Sequence, residues 1–381
     1  MKKQGVLFFI ILLLAVALPV YPLVSGVLSG NSHWKAHNGV IDLRNWDPEK
    51  EGPVQLGGEW EFYPNQFVQP SSFHEMQDKD WENYQSSSEL GMEARSSAKI
   101  VDVPGRWNQW MPEGQATGYG TYHIRVLLPE KAENLYGIYM QNIRSASQVW
   151  IDGAEVGASG IPSVSADKGK QGNAPYVGFA AVDGHSADIT VHVANYSYSS
   201  GGIIYPLLFG DYASITHSRE VAMAEDTVLV AGFFIPTVFF IMLYLLRKKE
   251  KALLFLACSC IAALFYILTH GEKLLVWGMP DLPYEWILKI QSFSSTLFYY
   301  FLIRYVHLST QIVMNRIVLR LYNIATALML GMGLLLPTLI LSSFEAFILL
   351  FGVVSVGYVL LILIRGLLQR TDDAALLVIS I

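Results

Sequence analysis

The sequence predicts an all-β sandwich followed by an all-α transmembrane helix bundle, and three observations lead there. Only 15% of the 381 residues are charged and 52% are hydrophobic, whereas soluble domains carry about 25% charge. The shortage of charge is confined to the second half. There, apolar runs cover 227–246, 252–270, 286–306, 318–341 and 344–364, and each is close to the roughly 20 residues that cross a hydrocarbon layer. Residues 30–225, by contrast, break into short aromatic and β-branched stretches separated by Gly and Pro.

Lys2 and Lys3 precede an apolar run over 5–20. Residues 1–28 are therefore expected to form a signal peptide or an uncleaved N-terminal anchor. Either form keeps the basic start in the cytoplasm and delivers residue 30 onward outside. Strands are expected at 60–63, 121–126, 136–140, 148–151 and 189–193, and in the second and last of these apolar and polar residues alternate as in a half-buried strand. Asp152-Gly153, Asp183-Gly184 and Ser199 to Gly202 supply turn chemistry between them. Many short strands with such turns indicate a sandwich, here expected over 30–215. Residues 70–100 are rich in Ser, Gln and Glu and have weak periodicity. They are read as a loop or short helices inserted into the sandwich.

The charges between the apolar runs set an orientation. Arg247, Lys248, Lys249 and Lys251 follow the first run, Arg304, Arg316 and Arg320 surround the link after the third, and Arg365 and Arg370 follow the fifth. The alternate links, 271–285 and 342–345, hold Lys273 as their single basic residue. This alternation places 30–225 outside the cell membrane, in agreement with the N-terminal segment. A sixth apolar segment opens at Ala374 and is incomplete at Ile381. The chain is accordingly read as the N-terminal part of a longer, seven-helix membrane protein, truncated in its sixth helix.

Several chemistries find little support. A net charge of −6 without a basic stripe argues against a nucleic-acid partner. Glu59, Glu61, Asp102 and Asp152 do not form a recognisable glycosidase pair. The nine histidines are scattered without metal-ligand spacing, so no metal site is expected; a calcium ion held by loop oxygens stays open. Cys258 and Cys260 are two apart on a predicted helix and point in different directions. Trp60 and Trp150 are read as core. Lys289, Glu285, Glu272 and His270 lie near predicted helix ends and are read as interfacial anchors. The ligand-binding candidates are Trp107, Trp110 and Tyr119, with Arg106 and Asn108. They lie in the Gly/Pro-rich stretch 104–120, where aromatic faces beside polar groups suit a sugar ring. The alternative is that these rings pack beneath the loop.

Several stretches in order carry a resemblance. They are Ile41-Asp42-Leu43-Arg44, Leu56-Gly57-Gly58-Glu59-Trp60-Glu61-Phe62-Tyr63, Val103-Pro104-Gly105-Arg106-Trp107-Asn108, Gly118-Tyr119-Gly120-Thr121-Tyr122-His123-Ile124-Arg125-Val126, Val149-Trp150-Ile151-Asp152-Gly153 and Val191-His192-Val193-Ala194-Asn195. Together they resemble the extracellular sandwich of bacterial seven-transmembrane receptors with diverse intracellular signalling modules (7TMR-DISM). They are also similar to the galactose-binding-like jelly roll, the sugar-binding domain of family 2 glycoside hydrolases. The resemblance implies a receptor for an extracellular small molecule or carbohydrate. It implies a cytoplasmic output that is a histidine kinase of a two-component system or a diguanylate cyclase. Stretches 60–64 and 103–108 resemble the kinase members more closely. A kinase would bring ATP as cofactor, a response regulator as partner and a homodimer as working form. No cofactor or catalytic site is expected within 1–381. The competing class is a membrane-tethered carbohydrate-binding or transport-accessory protein without enzymatic output.

Overall fold

The computed structural model describes residues 33–74, 98–130, 135–310 and 315–368. The expected signal segment and the sixth apolar segment both lie outside the described residues. So does most of the insertion expected over 70–100.

The first part is a two-sheet β-sandwich. Its strands are β1 (Val40–Asp42), β2 (Val54–Leu56), β3 (Gly58–Pro64), β4 (Lys99–Val103), β5 (Gly118–Leu127), β6 (Leu135–Met140), β7 (Ala146–Ile151), β8 (Ala154–Ser159), β9 (Tyr176–Ala181), β10 (Ser186–Asn195) and β11 (Leu207–Asp211). One sheet runs β4-β3-β5-β10-β7-β8, with β1 joined to β5; the other runs β2-β11-β6-β9. All pairings between strands are antiparallel except β1 with β5.

Alternation decides which side chains enter the core. Trp60 and Phe62 of β3, Tyr122, Ile124 and Val126 of β5, and Ile189, Val191 and Val193 of β10 point between the sheets. They meet Leu56, Ile138, Leu207 and Phe209 of the second sheet. Gly120 is required where β5 passes β3, because a Cβ there would strike the Phe62 ring. Two expectations change. Trp150, read as core, is half-buried on the other face of its strand, 4.4 Å from the His192 ring, because Val149 and Ile151 take the inward positions. β5, read as half-buried, is buried on both faces: Thr121, His123 and Arg125 are covered as fully as the apolar set. Asn195 caps a turn, accepting from the Tyr198 N–H at 3.1 Å.

The second part is helical. Its long helices are α1 (Tyr212–Leu246), α2 (Lys251–Leu268), α3 (Tyr284–Thr310), α4 (Arg316–Leu335) and α5 (Glu345–Leu368). Among the described residues, four segments are long and apolar enough to cross a membrane: Tyr212–Leu246, Lys251–Leu268, Arg316–Leu335 and Thr338–Gly366. Their outward side chains include Val228, Ile235 and Leu349, two-thirds or more exposed, as suits a surface against acyl chains. α3 is the polar exception, carrying Glu285, Lys289, Gln291 and Arg304. It packs against α2, α4 and α5 at once, so neighbouring helices rather than lipid cover much of it. α1 begins at Tyr212 rather than near 227; its first turns carry Arg219, Glu220, Glu225 and Asp226, which extend the helix beyond the apolar window. α4 ends at Leu335 rather than 341, because Pro337 removes a donor and disfavours helix at the preceding residue.

Truncating Ile124 to alanine empties a fully buried site between the sheets. It is expected to lower stability by about 2–5 kcal/mol, read by urea unfolding of the full chain in detergent.

Candidate functional site at the sandwich–helix junction

The last strand of the sandwich becomes the first helix of the bundle without a linker. Asp211 ends β11 and is the N-cap of α1, its carboxylate accepting from the Ser214 N–H at 3.2 Å. A carboxylate there satisfies a free backbone donor and faces the positive end of the helix. α1 then packs along β6, β9 and β11, so the four-stranded sheet is the one that faces the helices.

Beneath that sheet lies a buried polar group. Glu272 and Lys273 sit in the link between α2 and α3 and are 1% and 6% exposed. The Tyr139 hydroxyl of β6 donates to Glu272. Arg219 of α1 faces the same carboxylate at 3.8 Å and lies over the Trp277 ring at 5.1 Å. The Glu272 N–H donates to Asp226 Oδ2 at 2.7 Å, and the Lys273 ammonium donates to the Asn173 carbonyl of the sandwich. Gly271 and Lys273 both hold positive φ. At Gly271 a Cβ would collide with the Asp226 carboxylate, so the tight turn that delivers Glu272 requires glycine. Burial pushes the Lys273 ammonium down to about 7 although Glu272 pulls it up. Burial, then the Glu272 carboxylate, pushes the Tyr139 phenol up.

A second contact lies at the link between α4 and α5. The Ser199 N–H donates to Ser342 Oγ at 2.9 Å. Arg144 donates to Ser200 Oγ at 2.8 Å, lies over the Tyr198 ring at 4.1 Å, and faces Glu345 at 3.8 Å. Both links assigned to one side by the charge pattern thus touch the sandwich.

The ligand candidates fall into three settings. Trp107 is fully buried; its indole donates to the Ala116 carbonyl at 2.8 Å, and its own N–H donates to the Gly201 carbonyl at 3.0 Å. Trp110 is half-buried against the core and Arg106 is exposed. Asn108 is half-buried and donates to the Ser199 carbonyl at 3.2 Å. Tyr119 is half-buried apart from these, its ring centroid 4.9 Å from that of Phe67. Trp107 and Asn108 therefore grip the turn 199–201, which itself touches Ser342 and Arg144. Glu272, read as an interfacial anchor, is instead buried under the sandwich; the signal for it was an acid–base pair in a link otherwise nearly free of charge. Lys289 pairs with Glu285 at 2.9 Å within α3. Among the described residues no cluster of His, Cys, Asp or Glu could hold a metal.

Two outcomes follow from this junction. Replacing Tyr139 by Phe strips a buried carboxylate of a donor and is expected to weaken docking by about 1–2 kcal/mol, read as faster hydrogen exchange in 135–140 and 269–275. Lys273 binds fewer protons docked than free between about 7 and its ordinary 10.5. Docking therefore strengthens as pH rises through that window and is insensitive to this group below it. In Lys273→Met the same peptides lose that pH dependence.

Residues 224–381 match the family described as 7TM diverse intracellular signalling. No curated protein matches the chain. Similar solved structures include a putative beta-galactosidase from Bacteroides fragilis, 15% identical, covering 41% of this chain and 22% of that one, with a TM-score of 0.28. A GH2 beta-galacturonidase from Eisenbergiella tayi is 12% identical, covering 42% and 24%, with a TM-score of 0.27. The beta-glucuronidase of Ruminococcus gnavus is 14% identical, covering 41% and 28%, with a TM-score of 0.27. The chain spans well under a third of the length of these enzymes. Behind a β-sandwich docked on its helix ends, the helical part of this chain is thus similar to the family described as 7TM diverse intracellular signalling.

Proposed function

We propose that this chain is the sensory part of a bacterial membrane receptor. The sandwich lies outside the cell, takes up a small molecule or carbohydrate-like ligand, and biases the helix bundle between two packings. The bundle passes that bias to a cytoplasmic output module, a histidine kinase of a two-component system. The carrying observation is the junction itself: Tyr139 and Asn173 of the sandwich hold Glu272 and Lys273 of a helix link in a buried polar contact. Buried polar groups are costly to leave unpaired, so a shift of the sandwich obliges the link to follow. The family of the helical part supports a signalling role. The kinase rests on the likeness of stretches 60–64 and 103–108 to kinase-bearing receptors.

The input site we favour is the stretch 106–119. Arg106 is exposed and Trp110 half-buried there, and the turn 199–201 connects it to Ser342. Trp107 belongs to its scaffold, being fully buried.

Three measurements separate the parts of this reading. Cysteines placed at Glu113 and at Lys249 report sidedness in intact cells: a membrane-impermeant maleimide should label the first and spare the second, and the reverse sinks the orientation. Thermal shift of the full chain with neutral and acidic monosaccharides tests the ligand class. A rise in Tm that is lost in Arg106→Ala supports it, and no shift with any sugar overturns the carbohydrate reading alone. Incubating the product of the whole reading frame with labelled ATP tests the output; absence of phosphohistidine removes the kinase and leaves the sensor.

A further inference from the structure

The sandwich holds a second buried polar cluster on its other sheet. Because α1 packs on the four-stranded sheet, the outer face of the seven-stranded sheet is turned away from the helices. On that face β3, β5 and β10 bring together Glu61, His123, Arg125 and Asp188. His123 Nδ1 lies 3.0 Å from Glu61 Oε2, and Nε2 lies 2.9 Å from Asp188 Oδ1. Arg125 donates to both oxygens of Asp188, at 2.9 and 2.8 Å. The Tyr63 hydroxyl donates to Glu61 Oε2 at 2.9 Å.

Such a cluster on an outer sheet face would ordinarily be wet, yet His123 and Asp188 are each 1% exposed. Among the described residues, the segment 66–73 crosses it. Phe73 lies flat on the His123 ring, 3.9 Å between centroids and 7° between planes, and its carbonyl accepts from Arg125 Nη2 at 3.3 Å. Phe67 stacks on His192 at 4.6 Å, and the Val68 carbonyl accepts from His192 Nε2 at 2.8 Å. Thr121 Oγ donates to the Gln66 carbonyl at 2.8 Å and accepts from the Val68 N–H at 3.0 Å. These contacts are with polar groups and rings of the sheet's outer face.

We propose that segment 66–73 is a strap whose hold on this face depends on the proton of His123, so that rising pH releases it. Among the described residues, imidazolium and guanidinium together face two carboxylates under the strap. A neutral imidazole donates one hydrogen bond, not two. Loss of the proton therefore leaves one carboxylate facing a bare ring nitrogen in place of a donor. A buried carboxylate turned toward a ring lone pair loses a hydrogen bond that water could supply, and opening the strap relieves this by admitting water. Burial opposes the imidazolium, but the hydrogen bonds to Asp188 and Glu61 outweigh it and hold the His123 pKa above its ordinary 6.5. Burial likewise opposes the Asp188 carboxylate, and His123 and Arg125 keep it ionised. The hold is thus full below 6.5 and is lost as pH rises through the raised value. His192 under Phe67 works in the other direction: burial lowers its pKa, so it weakens the strap only in acid and takes no part in the alkaline release.

As a gate on the receptor's input face, the strap rests on the receptor reading above. As a latch it stands on this geometry alone, and the experiment reads the latch. Hydrogen exchange of the full chain in nanodiscs, corrected for intrinsic rates, is followed at pH 6.0 and 8.5 in peptides covering 66–74. Strand peptides 118–127 and 186–195 serve as references. Protection of the strap should fall about tenfold for each unit by which the His123 pKa differs between fastened and open forms, with the strands unchanged. His123→Gln should abolish the pH dependence. Glu61→Gln, which keeps one carboxylate on the ring, should move release to lower pH. Equal protection of the wild-type strap at both pH values overturns the proposal. So does opening of strap and strands together, or a pH dependence that survives in His123→Gln.

Discussion

The constraint on which the structure depends is the passage from β11 into α1 at Asp211. One residue closes a strand paired on both sides by β2 and β6 and opens a helix of 35 residues. No flexible segment absorbs a movement between them. Gly210 is packed so closely against Ser214 and Pro53 that it has no room for a Cβ, which fixes the angle of the exit. With that angle fixed, Arg219 and Asp226 fall about two turns apart on the helix and both face the link that carries Glu272. The buried polar contact is in this sense a product of the strand's register.

The two sheets divide the work. The four-stranded sheet meets the helices through Tyr139, while the seven-stranded sheet turns a charged and aromatic face outward. The apolar core from Trp60 to Phe209 lies between them. Close-packed interiors transmit displacement rather than damping it. The turn 199–201 offers a second route at the sandwich edge, from Trp107 to Ser342. The helix links at 269–283 and 336–344 thus receive the sandwich at two separate points. α3, which starts where the first of these links ends, packs on α2, α4 and α5 and is placed to distribute any tilt.

How far the sequence could be read depended on how local each signal was. The strands at 60–63, 121–126, 136–140, 148–151 and 189–193 were legible because bulky β-branched and aromatic residues crowd there. β8 was not: in Ala154–Ser159 small residues replace the usual bulk, since the Tyr176 ring lies where a Cβ on Gly157 would stand. The apolar cores of the helices were legible from length alone. The first turns of α1 were not, because Arg219, Glu220, Glu225 and Asp226 read as a soluble segment when their helical partners are unseen. The importance of Glu272 lay in a tertiary contact with Tyr139, 133 residues away. The strap left Phe67, Val68 and Phe73 as scattered apolar marks in a stretch of Gln, Ser and Pro. Of the stretch 104–120, the sequence located the loop, but it could not separate Trp107, which supports the loop, from Arg106, which is open to solvent.

The direct strand-to-helix passage also bears on how such a chain can be rearranged by recombination. A helix advances about 100° and 1.5 Å per residue. One residue gained or lost at the seam would swing Arg219 and Asp226 away from the link they serve. Sandwiches can therefore be exchanged between bundles of this kind only in steps that preserve helical phase, near multiples of seven residues, or together with the links they touch. Sandwich and bundle are expected to be inherited as a unit, while variation gathers on the outer face of the seven-stranded sheet, away from the long helices that pack on the other sheet.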